Sequence, residues 1–360
     1  MKVVCLVRAS NDQEGFRRVI RTLEARGLKP EGLTQSLEPA QLRVVSGDLG
    51  LPQLGLDELA WEALAAQVET IVHVGYLVNF HYGYEDLRAT NVQGLRTLLR
   101  LATAKVCKPL HFVSSFSVFL TPEYSGKTVA ETDPAFPGEG GYRESKRQAE
   151  ALVMQAAARG LPVSVVRPPF VSWHSRTGVY NPRDFLMQLI TGCLEVGAYP
   201  ALALRFHLEP VDRVGQALVR LVLNPTGAQA GEQPPRLHCL TSEAGVSWLS
   251  LVHRLNDAGA ELVGLALEPW LARIRAYGAG GALHSFFSEE SRGQGLHLLE
   301  AFSERAAPSR VDATQGKILL GLNDPSDALN EQGLRALLLR LQAGIASRRA
   351  AGSRGQALGR

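Results

Sequence analysis

Residues 110–115, with the sequence LHFVSS, form a nearly continuous apolar run that ends in two hydroxyl side chains. Similar apolar runs occur upstream at 70–75 (TIVHVG) and downstream at 161–168 (LPVSVVRP). The segments between these runs, at 87–102 and 142–159, have the character of helices. Strands that are apolar on both faces and alternate with helices indicate a parallel sheet covered by helices on each side. We therefore predict an α/β fold with a doubly wound parallel sheet.

The same rhythm of strands and helices defines the predicted domains. Residues 1–168 form the sheet domain, and 208–242 return to it with a further helix and strand. Residues 169–207, which are expected to be irregular, and the mainly helical segment 243–345 form a smaller lobe. We expect this lobe over the carboxyl ends of the strands, where such sheets bind ligands. The small, polar and basic residues 346–360 predict a disordered tail.

The composition is that of an ordinary soluble globular protein. The chain has 360 residues, of which 45% are hydrophobic and 20% charged, and its net charge is +3. The arginines are spread along helices, so the charge does not favour nucleic-acid binding. The longest apolar region, 185–204, is interrupted by polar residues and a proline, so no membrane span is predicted. The four cysteines form no CxxC pair and predict reduced core thiols in the cytoplasm rather than a metal site: Cys5, Cys107, Cys193 and Cys239.

Two residues in the segment GYRESKRQAE (141–150) carry a chemical pattern. Tyr142 and Lys146 are four residues apart on a predicted helix and therefore share a face. An ammonium beside a phenol lowers the phenol pKa, which lets the tyrosine exchange a proton near neutral pH. Ser115, at the carboxyl end of its strand, could donate a hydrogen bond to a bound carbonyl. A surface helix pair and a strand-capping role for Ser114 and Ser115 are the alternative interpretations.

The order of these features resembles the extended short-chain dehydrogenase/reductase superfamily. A strand ending in two serines is followed by YxxxK on the next helix and by a strand ending in RP. The resemblance implies a Rossmann-like fold in which Ser115, Tyr142 and Lys146 hold a carbonyl, transfer its proton and bind the cofactor ribose. Asn91, in the segment NVQG, matches an asparagine that supports the lysine, although a local backbone bond is an equal alternative.

Five further segments narrow the resemblance. These segments are spread from Val3 to about Val214 and are similar to sequences of the thioester reductase branch: CLVRA, GDLGLPQLGL, IVHVGYLVN, LRATNVQG and PVDRV. This branch comprises the terminal reductase domains of peptide and polyketide synthetases and of carboxylic acid reductases. It implies NADPH-dependent reduction of an acyl thioester, on a carrier-protein phosphopantetheine or on CoA, to an aldehyde or alcohol. A nucleotide-sugar epimerase or dehydratase on the same scaffold and a non-catalytic remnant of the fold stay open as alternatives.

The resemblance also implies cofactor contacts. Arg8, just past the first predicted strand, would pair with the 2′-phosphate and favour NADP over NAD, with help from Arg17 or Arg18. Asp48 and Leu49 match positions that contact adenine. The alternatives are a solvated arginine at a helix start and a plain turn aspartate.

Some features depart from the family pattern. No glycine-rich turn precedes the first strand, so the chain is expected to begin at the family's second strand and to bind NADPH weakly. The glycines of YGAGGALH (277–284) follow no strand and are interpreted as a helix–helix connection. Tyr76, Pro169 and Trp173 lie at or near positions where the family has small residues or glycine. All three are expected around the nicotinamide and substrate site.

Overall fold

The computed structural model describes residues 2–28, 42–223, 236–241, 245–288, 290–321 and 329–357. The chain divides into two compact units. The first unit consists of Met1–Val118, Pro134–Arg167 and Leu221–His238. The second consists of Phe119–Asp133, Pro168–Arg220 and Cys239–Arg360, so it includes residues 119–133 from within the predicted sheet domain.

The first unit contains two sheets, with strands numbered along the whole chain. Its strands are β1 (Val3–Val7), β2 (Leu42–Ser46), β3 (Ile71–His73), β4 (Leu110–Val113), β6 (Val163–Arg167) and β11 (Arg236–Cys239). Within the described ranges β1 pairs with β2 alone, in parallel, and the other four strands follow the order β3–β4–β6–β11. The β3–β4 and β4–β6 pairs are parallel. The prediction of an α/β fold with a parallel sheet is therefore confirmed.

Five helices connect these strands. They are α1 (Asp12–Ala25), α2 (Glu58–Gln67), α3 (Tyr84–Arg88), α4 (Gly94–Thr103) and α5 (Gly141–Ala158). The side chain of Asn11 caps α1 by accepting the N–H of Glu14, and Asp57 caps α2 by accepting the N–H of Ala60. A π-helical turn, Ala89–Gln93, joins α3 to α4, so the predicted helix at 87–102 is one helix with a wider turn in its middle.

The core of the first unit fixes the carboxyl end of β4 beside α5. Leu110 lies opposite Val163, and Phe112 lies opposite Val165, on one face of the four-stranded sheet. All four side chains belong to a buried apolar cluster with residues of α4 and α5 that include Leu98, Leu101, Ala149 and Val153. Removing the Phe112 ring, which is fully buried, would cost about 3–5 kcal/mol. This cluster therefore holds the end of β4 and the helix that follows it in one rigid arrangement.

The second unit contains short strands in pairs and most of the helices. Its strands are β5 (Thr128–Ala130), β7 (Phe170–Ser172), β8 (Ala198–Pro200), β9 (Arg205–Phe206), β10 (Leu208–Pro210), β12 (Val246–Ser247), β13 (Val263–Leu265) and β14 (Arg310–Asp312). The pairs β5–β14, β7–β10 and β8–β13 are parallel, and β9–β12 is antiparallel. The helices are α6 (Phe185–Val196), α7 (Val211–Leu223), α8 (Trp248–Asp257), α9 (Leu267–Tyr277), α10 (His284–Phe287), α11 (Arg292–Ala301), α12 (Thr314–Leu320) and α13 (Glu331–Ala357). The last residues of α7 belong to the first unit.

Three expectations from the sequence are wrong. Residues 169–207 are not irregular, because they contain β7, β8, β9 and the 12-residue helix α6. The predicted tail at 346–360 is helical as far as Ala357, and residues 358–360 lie outside the described residues. Arg348 in this helix pairs with the buried carboxylate of Glu195 at 2.9 Å. Cys107 is exposed in the connection between α4 and β4 rather than buried.

Two other expectations concern local features. The connection between α9 and α10 passes through Gly278, which has a φ of +85°, so the interpretation of YGAGGALH as a helix–helix connection is confirmed. Among the described residues, no helix combines the length and the apolar character needed to cross a membrane.

Candidate active site

Helix α5 places Tyr142 and Lys146 on one face beside the end of β4. The Lys146 side chain is only 2% exposed, and its Nζ donates a hydrogen bond to the carbonyl oxygen of Val113 at 3.1 Å. The same Nζ lies 5.9 Å from the centroid of the Tyr142 ring. The predicted pair is therefore not a solvated surface pair, because the lysine is buried and tied to the strand that ends at the serines.

The ammonium of Lys146 lies among aromatic rings. Its Nζ is 2.9 Å from the centroid of the Tyr76 ring and 5.9 Å from that of Phe112. Burial lowers the pKa of Lys146 well below its ordinary value, and the carboxylate of Glu150, one turn further along α5, opposes this shift. A lysine in such a site changes its protonation more readily than a solvated one, and its charge acts on its neighbours with little screening.

The two serines after β4 have different contacts. Ser115 is half-buried, and its Oγ accepts the N–H of Ser117 at 3.1 Å. The capping interpretation of Ser115 therefore holds, yet a serine hydroxyl keeps its own hydrogen for donation to a ligand. Ser114 is buried, and its Oγ donates to Oε2 of Glu150 at 2.7 Å. Ser114 thus connects the strand to α5, while Ser115 has a donor left for chemistry.

Asn91 is fully buried in the π-helical turn and connects three segments. Its Oδ1 accepts the N–H of Leu77 at 2.9 Å, and its Nδ2 donates to the Leu77 carbonyl oxygen at 3.0 Å. The same Nδ2 donates to the hydroxyl of Ser145 at 3.1 Å, and this hydroxyl donates to the carbonyl oxygen of Tyr142 at 2.8 Å. Asn91 therefore supports the first turn of α5 through Ser145, next to Lys146 in the chain, and no bond from Asn91 to the ammonium is found among the described residues.

Two features that sequence reasoning missed position Tyr142. The ring of Phe80 packs edge-on against the Tyr142 ring, with 5.4 Å between centroids. Gly141, at the start of α5, touches the backbone of 82–84 so closely that a Cβ there would lie 2.6 Å from the nitrogen of Tyr84. The glycines before Tyr142 are visible in the sequence, but nothing local indicates which segment they approach.

A buried ion pair below the site was also missed. The guanidinium of Arg167, at the end of β6, pairs with the carboxylate of Glu150, and its Nε donates to Oε2 at 3.3 Å. Both side chains are at most 4% exposed. Glu150, Arg167 and Ser114 therefore form one polar network that joins α5 to the ends of β4 and β6, and the Glu150 carboxylate acts electrostatically on Lys146. In the sequence, the four-residue spacing of Lys146 and Glu150 indicates that they share a helix face, but nothing indicates the contact with Arg167.

The predicted cofactor residues lie after β1 and β2. Arg8 is exposed, and in the described part of the chain its guanidinium has no hydrogen bond or ion pair. Arg18 instead donates to the carbonyl oxygen of Arg8 at 2.6 Å, and Arg17 pairs with Glu14 at 3.6 Å. Arg8 is thus the arginine that stays available to an anion.

Asp48 and Leu49 have structural contacts of their own. The Oδ1 of Asp48 accepts the N–H of Gly50 at 2.8 Å, which is the contact of a turn aspartate. The side chain of Leu49 packs on the apolar core and against the backbone of Gly75 and Gly94. The backbone groups of Asp48 are used inside the turn as well, because its N–H donates to the Leu54 carbonyl oxygen at 2.7 Å and its carbonyl oxygen accepts the N–H of Leu51 at 3.1 Å.

The donors of this unit fit two ends of a nicotinamide dinucleotide. Ser115 offers a hydrogen-bond donor for a carbonyl oxygen, Lys146 carries N–H groups suited to ribose hydroxyls beneath the ring of Tyr76, and Arg8 offers a cation for a phosphate. The start of α1 does not fit a pyrophosphate, because the Asn11 side chain already caps it and its first turn carries Asp12 and Glu14. In the described part of the chain, no group of three or more His, Cys, Asp or Glu side chains is placed to hold a metal ion.

The three departures from the family pattern lie in different units. Tyr76, in the first unit, contacts the Lys146 ammonium. Pro169 and Trp173 belong to the second unit, where both are buried and the Trp173 side chain is fully enclosed.

Comparisons with known proteins agree with this fold. The family model described as Male sterility protein, an NAD-binding domain, matches residues 1–218. The chain is 35% identical over 239 residues to L-2-aminoadipate reductase of Schizosaccharomyces pombe, covering 62% of this chain and 16% of the relative. It is 32% identical over 278 residues to a linear gramicidin synthase of Brevibacillus parabrevis, covering 76% of this chain and 5% of the relative. The chain thus spans a small part of the length of these relatives.

A solved structure extends the match over nearly the whole chain. The terminal R domain from the myxalamid PKS-NRPS biosynthetic pathway is 33% identical, with a TM-score of 0.76, covering 94% of this chain and 83% of that one. Together with the match of the family model to more than half of the chain, this shows that the protein belongs to the Male sterility protein family of NAD-binding domains, in its branch of terminal reductase domains.

Proposed function

We propose that this chain reduces an acyl thioester with NADPH, to an aldehyde or an alcohol. The observation that carries the proposal is the placement of the Lys146 ammonium, which is buried, bonded to the end of β4 and 5.9 Å from the Tyr142 ring. The relatives named as reductases support a reaction at a carboxyl-level carbon. Arg8, an exposed and unpaired guanidinium among the described residues, supports NADPH rather than NADH.

Each residue of the site would have a different chemical role at the substrate carbonyl. NADPH, when bound, supplies the hydride for the carbonyl carbon. The Ser115 hydroxyl donates a hydrogen bond to the carbonyl oxygen, and the Tyr142 hydroxyl gives that oxygen a proton. The neighbouring Lys146 ammonium stabilises the phenolate that Tyr142 leaves behind. The C–S bond then breaks, and the thiol leaves with the proton that the oxygen returns.

The source of the thioester is part of the proposal. L-2-aminoadipate reductase and the linear gramicidin synthase are much longer than this chain, which matches 16% and 5% of their lengths. We infer a substrate held on the phosphopantetheine of a carrier protein, with CoA thioesters as a simpler equivalent. A lower KM for a carrier-bound acyl group than for the same acyl-CoA would support the carrier, and equal KM values would favour CoA.

The test compares two substrate classes with one pair of variants. NADPH oxidation is followed at 340 nm with acyl-CoA and acyl-carrier thioesters, and UDP-glucose turnover is followed in parallel. We expect thioester-dependent oxidation, and Tyr142→Phe should lower kcat/KM by about 10²–10⁴-fold because the proton donor is lost. Tyr82→Phe, an exposed tyrosine, is the matched control and should retain activity.

Three outcomes would contradict the proposal. Turnover of the sugar nucleotide alone would assign the chain to an epimerase or dehydratase. NADPH binding without turnover of any substrate would identify a non-catalytic remnant. A Tyr142→Phe variant as active as the unsubstituted chain would remove Tyr142 from the reaction.

A further inference from the structure

The side of the Lys146 ammonium that does not face β4 is covered by an aromatic ring. One N–H of this ammonium bonds to the carbonyl oxygen of Val113 at 3.1 Å. The ring of Tyr76 lies against it, with the ring centroid 2.9 Å from Nζ. With its side chain only 2% exposed, Lys146 is closed to water by the ring and by the strand. A hydroxyl that bonds to Nζ must come within about 3 Å, and the ring already occupies that distance.

Aromatic contacts, not the Tyr76 hydroxyl, hold the ring in place. Its centroid is 4.6 Å from the ring of His73 and 5.8 Å from that of Phe112, which it meets edge-on. The hydroxyl is buried and has no hydrogen-bond partner among the described residues. A buried hydroxyl without a partner is unfavourable, so this position of the ring has an intrinsic cost that a position closer to water would relieve.

Any movement of the Tyr76 ring is a rotation of its side chain, because Asn91 holds both backbone groups of the next residue, Leu77. Tyr76 follows β3 in a segment without regular structure, and the side chains of Val74 and Val78 on either side are 59% and 57% exposed. Rotation of the ring would therefore leave the exposed side chains of Val74 and Val78 where they are, and it would break the ring contacts with His73 and Phe112. It would leave the ammonium with free N–H donors directed away from Val113.

We propose that Tyr76 closes the ribose-binding position of the site, so that its ring must leave the Lys146 ammonium before the hydroxyls of a dinucleotide ribose can bind there. The inference rests on the proposed function, in which Lys146 binds the cofactor. Cofactor binding then includes the loss of a buried cation–π contact. Removing the ring should tighten NADPH binding by about tenfold, because this contact no longer competes with the cofactor.

The experiment uses one readout with the cofactor and one without it. Reductive methylation of Lys146, followed by mass spectrometry, measures access to the ammonium in the cofactor-free protein, and fluorescence titration measures the Kd for NADPH. Tyr76→Ala should increase the methylation of Lys146 and lower the Kd about tenfold. Tyr76→Phe keeps the ring and removes the unpartnered hydroxyl that disfavours the closed position, so methylation should stay low and the Kd should not fall. Val78→Ala, in the same exposed segment, is the control for general loosening, and Tyr76→Ser replaces the alanine variant if that one does not fold.

The outcomes separate this inference from the proposed function. Unchanged methylation in Tyr76→Ala would show that the ring does not cover Lys146 and would overturn the inference. Increased methylation with an unchanged Kd would show that the ring does not compete with the cofactor and would also overturn it. Absence of NADPH binding in every variant would overturn the proposed function, and with it the role of Tyr76 toward a dinucleotide, even where methylation increases.

Discussion

Glu150 is the residue on which the polar network of the first unit depends. Its carboxylate accepts the Ser114 hydroxyl and pairs with Arg167, and all three side chains are buried. Glu150→Gln would leave the guanidinium of Arg167 without its counter-charge, which typically costs about 3–5 kcal/mol of unfolding free energy. The matched control is Glu144→Gln on the same helix, whose pair with Arg147 is partly exposed and should be worth at most about 1 kcal/mol.

Denaturant unfolding of the two variants checks this prediction. Losses of equal size would show that the buried pair contributes no more than a surface pair. The Glu150 variant should also alter the pH dependence of activity, because the carboxylate opposes the fall in the pKa of Lys146.

Arg8 carries the second prediction at the scale of a residue. Its guanidinium is exposed and has no partner among the described residues, whereas Arg17 pairs with Glu14. Arg8→Ala should weaken NADPH binding by about 10- to 100-fold through the loss of a charge-assisted pair, and NADH binding much less. Arg17→Ala is the control. Fluorescence titration measures the Kd of each variant for NADPH and for NADH. An equal loss of affinity for the two cofactors would show that Arg8 does not contact the 2′-phosphate.

At the scale of the element, helix α5 depends on its first residue. A Cβ on Gly141 would overlap the backbone of the 82–84 segment, so Gly141→Ala must displace either that segment or the first turn that carries Tyr142. A shift of about 1 Å at a reacting group can cost 10²-fold, and we expect a loss of that order in kcat. Gly215→Ala in α7 is the control, because a Cβ there meets no atom within 4 Å. Full activity of Gly141→Ala would mean that the 82–84 segment is displaced and the first turn of α5 keeps its position.

The elements that could be predicted are those whose signal is local. The β4–α5–β6 unit and the Tyr142–Lys146 face follow from apolar runs and a four-residue spacing. Helix α6 was missed because nine of its 12 residues are buried, so it is apolar nearly all round and lacks an amphipathic period. The contacts of Glu150 with Arg167, and of Tyr76 with Lys146, join residues from different elements, and no spacing along the chain indicates them.

The basic residues at the end of α13 also make a contact that local sequence does not indicate, here with a residue much further away in the chain. Their composition is typical of disorder, yet Arg348 pairs with Glu195, 153 positions earlier in the chain. The carboxylate of Glu195 is buried and also accepts the N–H of Ala282 at 2.8 Å. A helix made of good helix formers becomes stable when a distant part of the fold supplies such a partner.

At the scale of the whole molecule, both units contain buried histidines that the fold keeps neutral. Burial lowers the pKa of His73 to about 3 and those of the other three to about 4: His111, His207 and His238. Nearby cations add to the shift, with Arg236 acting on both His111 and His238. In the unfolded chain these groups titrate near pH 6.5, so between pH 6.5 and about 4 the unfolded chain binds protons that the folded chain does not.

Two buried carboxyl groups act in the opposite direction. Burial raises the pKa of Glu209 to about 7 and that of Asp184 to about 6, so the folded chain holds protons there that the unfolded chain releases. The two carboxyl groups therefore increase the free energy of unfolding as the pH falls, whereas the four histidines decrease it. Since the histidines outnumber the acids, the free energy of unfolding should decrease on acidification from pH 6.5 towards pH 5.

The contribution of a single histidine can be isolated at His238. Both of its ring nitrogens are buried without a partner among the described residues, so His238→Leu removes a proton-binding group without breaking a hydrogen bond. Urea unfolding from pH 7 to pH 5 should show that the slope of unfolding free energy against pH becomes shallower by about 0.9 kcal/mol per pH unit on average in this variant. His253→Leu, an exposed histidine on α8, is the control. A His238→Leu slope equal to that of the unsubstituted chain would mean that His238 is protonated in the fold as readily as in the unfolded chain.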